Sequence, residues 1–155
     1  MKPVVGDAIP EWIMPSVSPE RMRTMAAILR DPNPIHWDRE VVNAMPLGLG
    51  KRTINQGPLG LSYIVNMLHA WAGPGSIRRL VMRFPQVVLD GECVVARGEI
   101  TAIRHAGDQR LADCNVRLEE ADRGVLLEGE ATVLLTPEAH DRRAGKPVAP
   151  VGTTV

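Results

Sequence analysis

Asp31 and His36 stand five positions apart in Asp31-Pro32-Asn33-Pro34-Ile35-His36, with two prolines between them. A carboxylate beside an imidazole can move protons near neutral pH, because histidine titrates there and the carboxylate can orient it or polarise a water. Five residues along a helix would not align the two side chains. The prolines exclude a helix here, since each removes a backbone donor and biases the residue before it towards extended conformations. A stiff turn can project both side chains into one cleft. Asn33 can tie that turn together by bonding to backbone. The plainer reading makes Asp31 a turn cap and His36 a surface residue ahead of Asp38.

The surrounding elements must hold that turn. Ser18-Pro19-Glu20 reads as a helix start, and Met22, Met25, Ala26 and Leu29 follow at helical spacing, so a helix runs to about Arg30. Asp38 can cap a second short helix, Arg39 to about Met45, ended by Pro46 and Gly48. Gly57-Pro58 opens the longest apolar stretch, closed by Gly73-Pro74-Gly75. Leu, Ile, Val and Met cover most of its circumference, which predicts a buried helix. Ser62, Asn66 and His69 share one stripe of it and could line a tunnel or meet water at one end.

Beyond Gly75 the pattern alternates. Leu80, Met82 and Phe84 form one set, and Val94, Ala96, Gly98 and Ile100 a second. Ala112, Cys114, Val116 and Leu118 form a third, and Val125, Leu127, Gly129, Ala131, Val133 and Leu135 a fourth. Asp90-Gly91, Gly107-Asp108 and Asp122-Arg123-Gly124 supply turns between them. The expected fold is α+β: an antiparallel meander wrapped around one long buried helix.

At 155 residues the chain is sized for one domain, expected over 1–136, with a Pro-, Gly- and Arg-rich tail over 137–155 expected to be partly disordered. Lys and Arg total 18 and balance 18 Asp and Glu, so no strong field favours nucleic acid or an anionic membrane. Cys93 and Cys114 are too far apart for a zinc motif and read as two buried free thiols of a reducing compartment. No signal peptide or membrane span is evident, so a cytoplasmic location is expected. Arg78, Arg79, Arg83 and Arg104 could meet phosphates or form a solvated strand face. His105 and His140 read as solvated.

Asp31-Pro32-Asn33-Pro34-Ile35-His36-Trp37-Asp38 resembles the signature of the MaoC-like hotdog proteins, the R-specific 2-enoyl-CoA hydratases and dehydratases. Their pattern is Gly-Asp-x-Asn-Pro-(Ile/Leu)-His-x-Asp after a helix. The resemblance spans about residues 5–136 and departs at Arg30, where the family has Gly, and at Gln56, where it has His. It implies that Asp31 and His36 hold one water, and that the Gly57 amide at the start of the long helix binds the thioester oxygen. It implies substrate-side roles for Asn33, Gln56 and Ser62, with Asn66 on the tunnel stripe. No metal and no redox cofactor is implied; coenzyme A enters only as part of the substrate. The implied partners are an acyl-CoA or acyl-carrier-protein thioester and a second hotdog subunit, in a homodimer, a higher assembly or a hetero-complex. Trp71-Ala72-Gly73-Pro74 also looks like actinobacterial sterol side-chain hydratases, so fatty-acid and sterol side-chain metabolism are both open. Two other readings fit the fold: a thioesterase, or a non-catalytic acyl-binding subunit.

Overall fold

A computed structural model describes residues 2–135; Met1 and the expected tail, with His140, lie outside the described residues. The elements run β1 (Ala8–Met14), α1 (Pro19–Leu29), a 3-10 turn (Pro34–His36), α2 (Arg39–Ala44), α3 (Gly57–Ala72), β2 (Ile77–Arg83), β3 (Val94–Ala106), β4 (Gln109–Glu120) and β5 (Gly124–Leu134). The five strands form one sheet in the order β1-β3-β4-β5-β2, every neighbouring pair antiparallel.

The central helix forms where expected. Gly57 and Pro58 open it, and Gly73 ends it with a φ of 91°. Tyr63, Ile64, Met67, Leu68 and Trp71 bury one side against the sheet. The sheet answers with alternating residues: Val94, Ala96 and Ile100 of β3, then Ala112, Cys114, Val116 and Leu118 of β4. Gly98 of β3 lets the two layers approach. A Cβ there would stand 2.8 Å from Ile9 Cδ1 and 3.3 Å from Met67 Cε. Trp12 of β1 stacks on Tyr63 with ring centroids 5.5 Å apart, and burial pushes the Tyr63 phenol pKa up.

Three features differ from the expectations. Strand β1 has no clear alternation in sequence, because Pro10 interrupts the run and the register with β3 shifts between Ile9 and Trp12. Cys93 is exposed while Cys114 is buried. Cys93 lies between buried Glu92 and buried Val94, so the alternation turns its side chain outward. Phe84 lies beyond the end of β2 and is half exposed.

The strand arginines form the solvated face. Arg79 pairs with Glu130, Arg83 with Glu128 and Arg104 with Asp113, at 3.5, 3.1 and 2.8 Å. Arg78 donates to the Gly75 carbonyl. His105 is exposed. Among the described residues no helix is long and apolar enough to cross a membrane.

Candidate active site

The turn that carries Asp31 and His36 begins where α1 unwinds. Arg30 takes a left-handed conformation, φ 52° and ψ 40°, and its N–H donates back to the carbonyls of Ala26 and Ala27. It is the one non-glycine residue with positive φ among the described residues, and a side chain there strains the backbone. The Asp31 N–H then closes on the Ala26 carbonyl at 2.9 Å, ending the helix.

Two side chains shape the next residues. Asp31 Oδ1 accepts from the Asn33 N–H at 3.0 Å, and Asn33 Oδ1 accepts from the Ile35 N–H at 3.3 Å. Asn33 thereby caps the 3-10 turn that carries His36. Asp38 accepts from the Glu40 and Val41 N–H groups and starts α2, as its position predicts.

Asp31 and His36 do meet. His36 Nε2 lies 3.3 Å from Asp31 Oδ2, with the histidine side chain 11% exposed and the aspartate 33%. The other ring nitrogen, Nδ1, lies 2.6 Å from the carbonyl oxygen of Ile54. A carbonyl only accepts, so Nδ1 carries the proton and donates. That assignment leaves Nε2 as the nitrogen free to take and give a proton beside Asp31.

The Ile54 segment links this pair to α3. The Ile54 N–H donates to the Ile35 carbonyl at 2.9 Å, so Ile54 brackets the turn through both backbone groups. On its other side, the Asn55 N–H donates to Val88 at 2.8 Å, and Thr53 Oγ1 donates to buried Asp90 Oδ2 at 2.9 Å. Arg39 of α2 pairs with the same carboxylate oxygen at 2.6 Å. Buried Gln56 donates from Nε2 to the Met22 carbonyl of α1 at 2.8 Å. It therefore fastens the start of α3 to α1 and works as a structural tie. Gly57 follows at the first position of α3, exposed, and no side chain caps that helix end. The Gly57 N–H is thus not spent on a side-chain cap and sits at the positive end of a helix of 16 residues.

The remaining expected residues stand apart. Ser62 Oγ donates to the Leu59 carbonyl of its own helix at 2.6 Å. Asn66 is exposed one turn further on. Neither bonds to Asp31 or His36 among the described residues. His69 is half-buried near the helix end. Ile54 and Asp90 were not foreseeable as site residues: a backbone carbonyl has no side-chain signature, and Asp90 reads as the first residue of an Asp-Gly turn.

An open cleft of about 420 Å³ lies against the turn, lined by Arg23, Ala26, Ala27, Arg30, Asp31, Pro32 and Trp37. Among the described residues no three His, Cys, Asp or Glu side chains gather as metal ligands.

Residues 9–121 match the family described as MaoC like domain. The R-hydratase PhaJ1 from Pseudomonas aeruginosa superposes with a TM-score of 0.74 at 22% identity, over 85% of this chain and 81% of that one. The (R)-hydratase from A. caviae involved in PHA biosynthesis also gives 0.74, at 25% identity, over 86% and 97%. The ChsH1-ChsH2 complex from Mycobacterium tuberculosis gives 0.71 at 21% identity, over 86% and 98%. No curated protein matches the sequence significantly. The sheet wrapped around α3 is the hotdog fold of these structures.

Proposed function

The chain belongs to the MaoC-like domain family, and from that premise we infer that it is a hydratase or dehydratase acting on a 2-enoyl thioester. The observation that carries this reading is the His36 ring held between two partners. Ile54 fixes Nδ1 as a donor at 2.6 Å, and Asp31 stands 3.3 Å from Nε2.

One water sits between the Asp31 carboxylate and His36 Nε2. Its oxygen adds to the β-carbon of the trans-2-enoyl thioester. One of its protons passes by way of the pair to the α-carbon, so the elements of water add across the double bond. The product is the R-3-hydroxyacyl thioester, and the reverse sequence is the dehydration. Negative charge gathers on the thioester oxygen during addition. The Gly57 amide, three residues after the carbonyl that holds His36, is its donor, strengthened by the helix end. Asn33 keeps the turn rigid. Gln56 holds Gly57 in place through α1. Ser62 and Asn66 lie on the face of α3 along which the acyl chain runs.

The acyl site is completed by a second hotdog subunit. Val81 and Phe84 are 48% and 50% exposed, on and just beyond edge strand β2, and Phe84 lies 3.6 Å from the place a Gly57 Cβ would take. The similarity to one chain set solved as a complex, ChsH1-ChsH2, keeps a mixed partner alongside a second copy of this chain. The thioester belongs to coenzyme A or to an acyl-carrier protein, in fatty-acid or sterol side-chain metabolism, and the chain works in the cytoplasm.

Incubation with crotonyl-CoA tests the reaction. Loss of enone absorbance without thiol release is the expected result. Release of free thiol would instead identify a thioesterase. No change in either signal, with the protein folded and its partner present, would identify a non-catalytic acyl-binding subunit.

A further inference from the structure

Position 30 is unusual twice. Its backbone is left-handed, which glycine would occupy without strain, yet it carries an arginine. Such strain persists only where the surroundings impose it, and it gathers at functional positions. The Arg30 side chain lines the cleft beside Asp31 and has no hydrogen-bond or ion-pair partner among the described residues.

Arg23 stands within α1, and Arg30 stands seven residues on, just past the helix end in the left-handed position. Ala26 and Ala27 lie between them and give a low floor. Trp37, 43% exposed, forms a wall. Arg23 lies near Glu20, but forms no ion pair among the described residues. Arg79, Arg83, Arg97, Arg104, Arg117 and Arg123 all close on carboxylates. Arg23 and Arg30, by contrast, line the cleft together with Asp31 and are available there to an incoming anion.

We propose that this cleft receives the nucleotide end of a coenzyme A thioester. Arg23 and Arg30 pair with its phosphates, and Trp37 stacks on its base. Two cations on the lining of one cleft suit a ligand with separated phosphate groups. The aromatic wall suits one that also carries a base. The phosphopantetheine arm of a carrier protein has a single phosphodiester and no base, so it would leave half of this construction unused. The long pantetheine arm lets the phosphates rest along α1 while the thioester reaches Asp31 and His36. The assignment rests on the thioester reading above for the reaction, but the binding itself can be measured without turnover.

Calorimetric titration of the full chain with free coenzyme A, and separately with pantetheine, is the test. Wild-type protein binds coenzyme A and binds pantetheine at least ten-fold more weakly. The double variant Arg23→Gln/Arg30→Gln loses at least ten-fold in coenzyme A affinity, with its thermal midpoint retained. Trp37→Phe keeps a ring in place and loses less than the double arginine change. Arg79→Gln, on the solvated strand face, leaves binding unchanged. If wild-type protein does not bind coenzyme A, or binds it no better than pantetheine, the assignment is wrong. It is also wrong if Arg23→Gln/Arg30→Gln binds as wild type, or slows turnover of a carrier-protein thioester while sparing crotonyl-CoA. Arginine-dependent binding without hydration of crotonyl-CoA would uphold the nucleotide site and defeat the hydratase reading.

Discussion

His36 Nδ1 donates to the carbonyl of Ile54 at 2.6 Å, across 18 residues of chain. This bond decides which nitrogen faces Asp31, and it ties the proline-stiffened turn to the segment that leads into α3. It also separates two effects that a single histidine substitution would mix.

An asparagine at position 36 places an amide nitrogen where Nδ1 stands, and a glutamine places one where Nε2 stands. His36→Asn therefore keeps the Ile54 bond and its stability should match wild type within about 0.5 kcal/mol. His36→Gln loses the bond and should cost about 1 kcal/mol. Both lack an imidazole and should lose on the order of a hundred-fold or more in hydration rate. Urea unfolding alongside crotonyl-CoA kinetics reads both quantities.

Arg30→Gly should stabilise the fold. A left-handed non-glycine residue costs about 1–2 kcal/mol, part of which is offset by the greater freedom of glycine in the unfolded chain. A net gain of about 1 kcal/mol corresponds to a thermal midpoint raised by about 2–4 °C. Differential scanning calorimetry checks this. A lowered midpoint would mean that the Arg30 side chain supports the fold through contacts of its own.

Gly129→Ala should detach the edge of the sheet. A Cβ at Gly129 would collide with the Val81 carbonyl oxygen and stand 2.7 Å from Met82 Sδ, both in β2. Since β2 pairs through Met82 to Gly129, the strand must shift, at a cost of about 1–3 kcal/mol. Hydrogen exchange should rise first at β2 amides. Unchanged exchange there would contradict the predicted contact.

The two thiols should behave differently. Burial, with nearby Asp113 second, pushes the Cys114 thiol up to about 12, while Cys93 is exposed. One thiol should react with a disulfide reagent in the native chain at neutral pH, and two after denaturation. An unfolded cysteine ionises near about 8.5. Above that pH the unfolded chain releases a proton that folded Cys114 keeps. Stability should therefore fall from about pH 8.5 upwards, and a Cys114→Ala variant should show a shallower fall.

Much of this architecture is readable in the chain, for local reasons. Proline and glycine mark both ends of α3, Ser18 and Asp38 mark helix starts, and the alternation of β3 and β4 names their buried faces residue by residue. The Asp31–His36 pair is readable because two prolines leave few conformations open. Strand β1 is harder, because Pro10 and the register shift break its alternation. The placement of Gln56 on the Met22 carbonyl, and of Thr53 and Arg39 on Asp90, depends on segments brought together only by folding. Ser62 has the right type and helix face, yet its hydroxyl closes on its own backbone, an alternative always open to serine in a helix.

The most direct measurement is hydration of crotonyl-CoA by wild-type chain and Asp31→Asn side by side, with chiral analysis of the product. Asparagine keeps the Oδ1 acceptor used by the Asn33 N–H, so the turn should survive while the carboxylate charge is lost. The expected result is R-3-hydroxybutyryl-CoA from wild type and a rate lower by about a hundred-fold or more from Asp31→Asn, at equal thermal stability. Equal rates from the two proteins, or formation of the S product, would contradict the assignment of Asp31 and His36 as the water-activating pair.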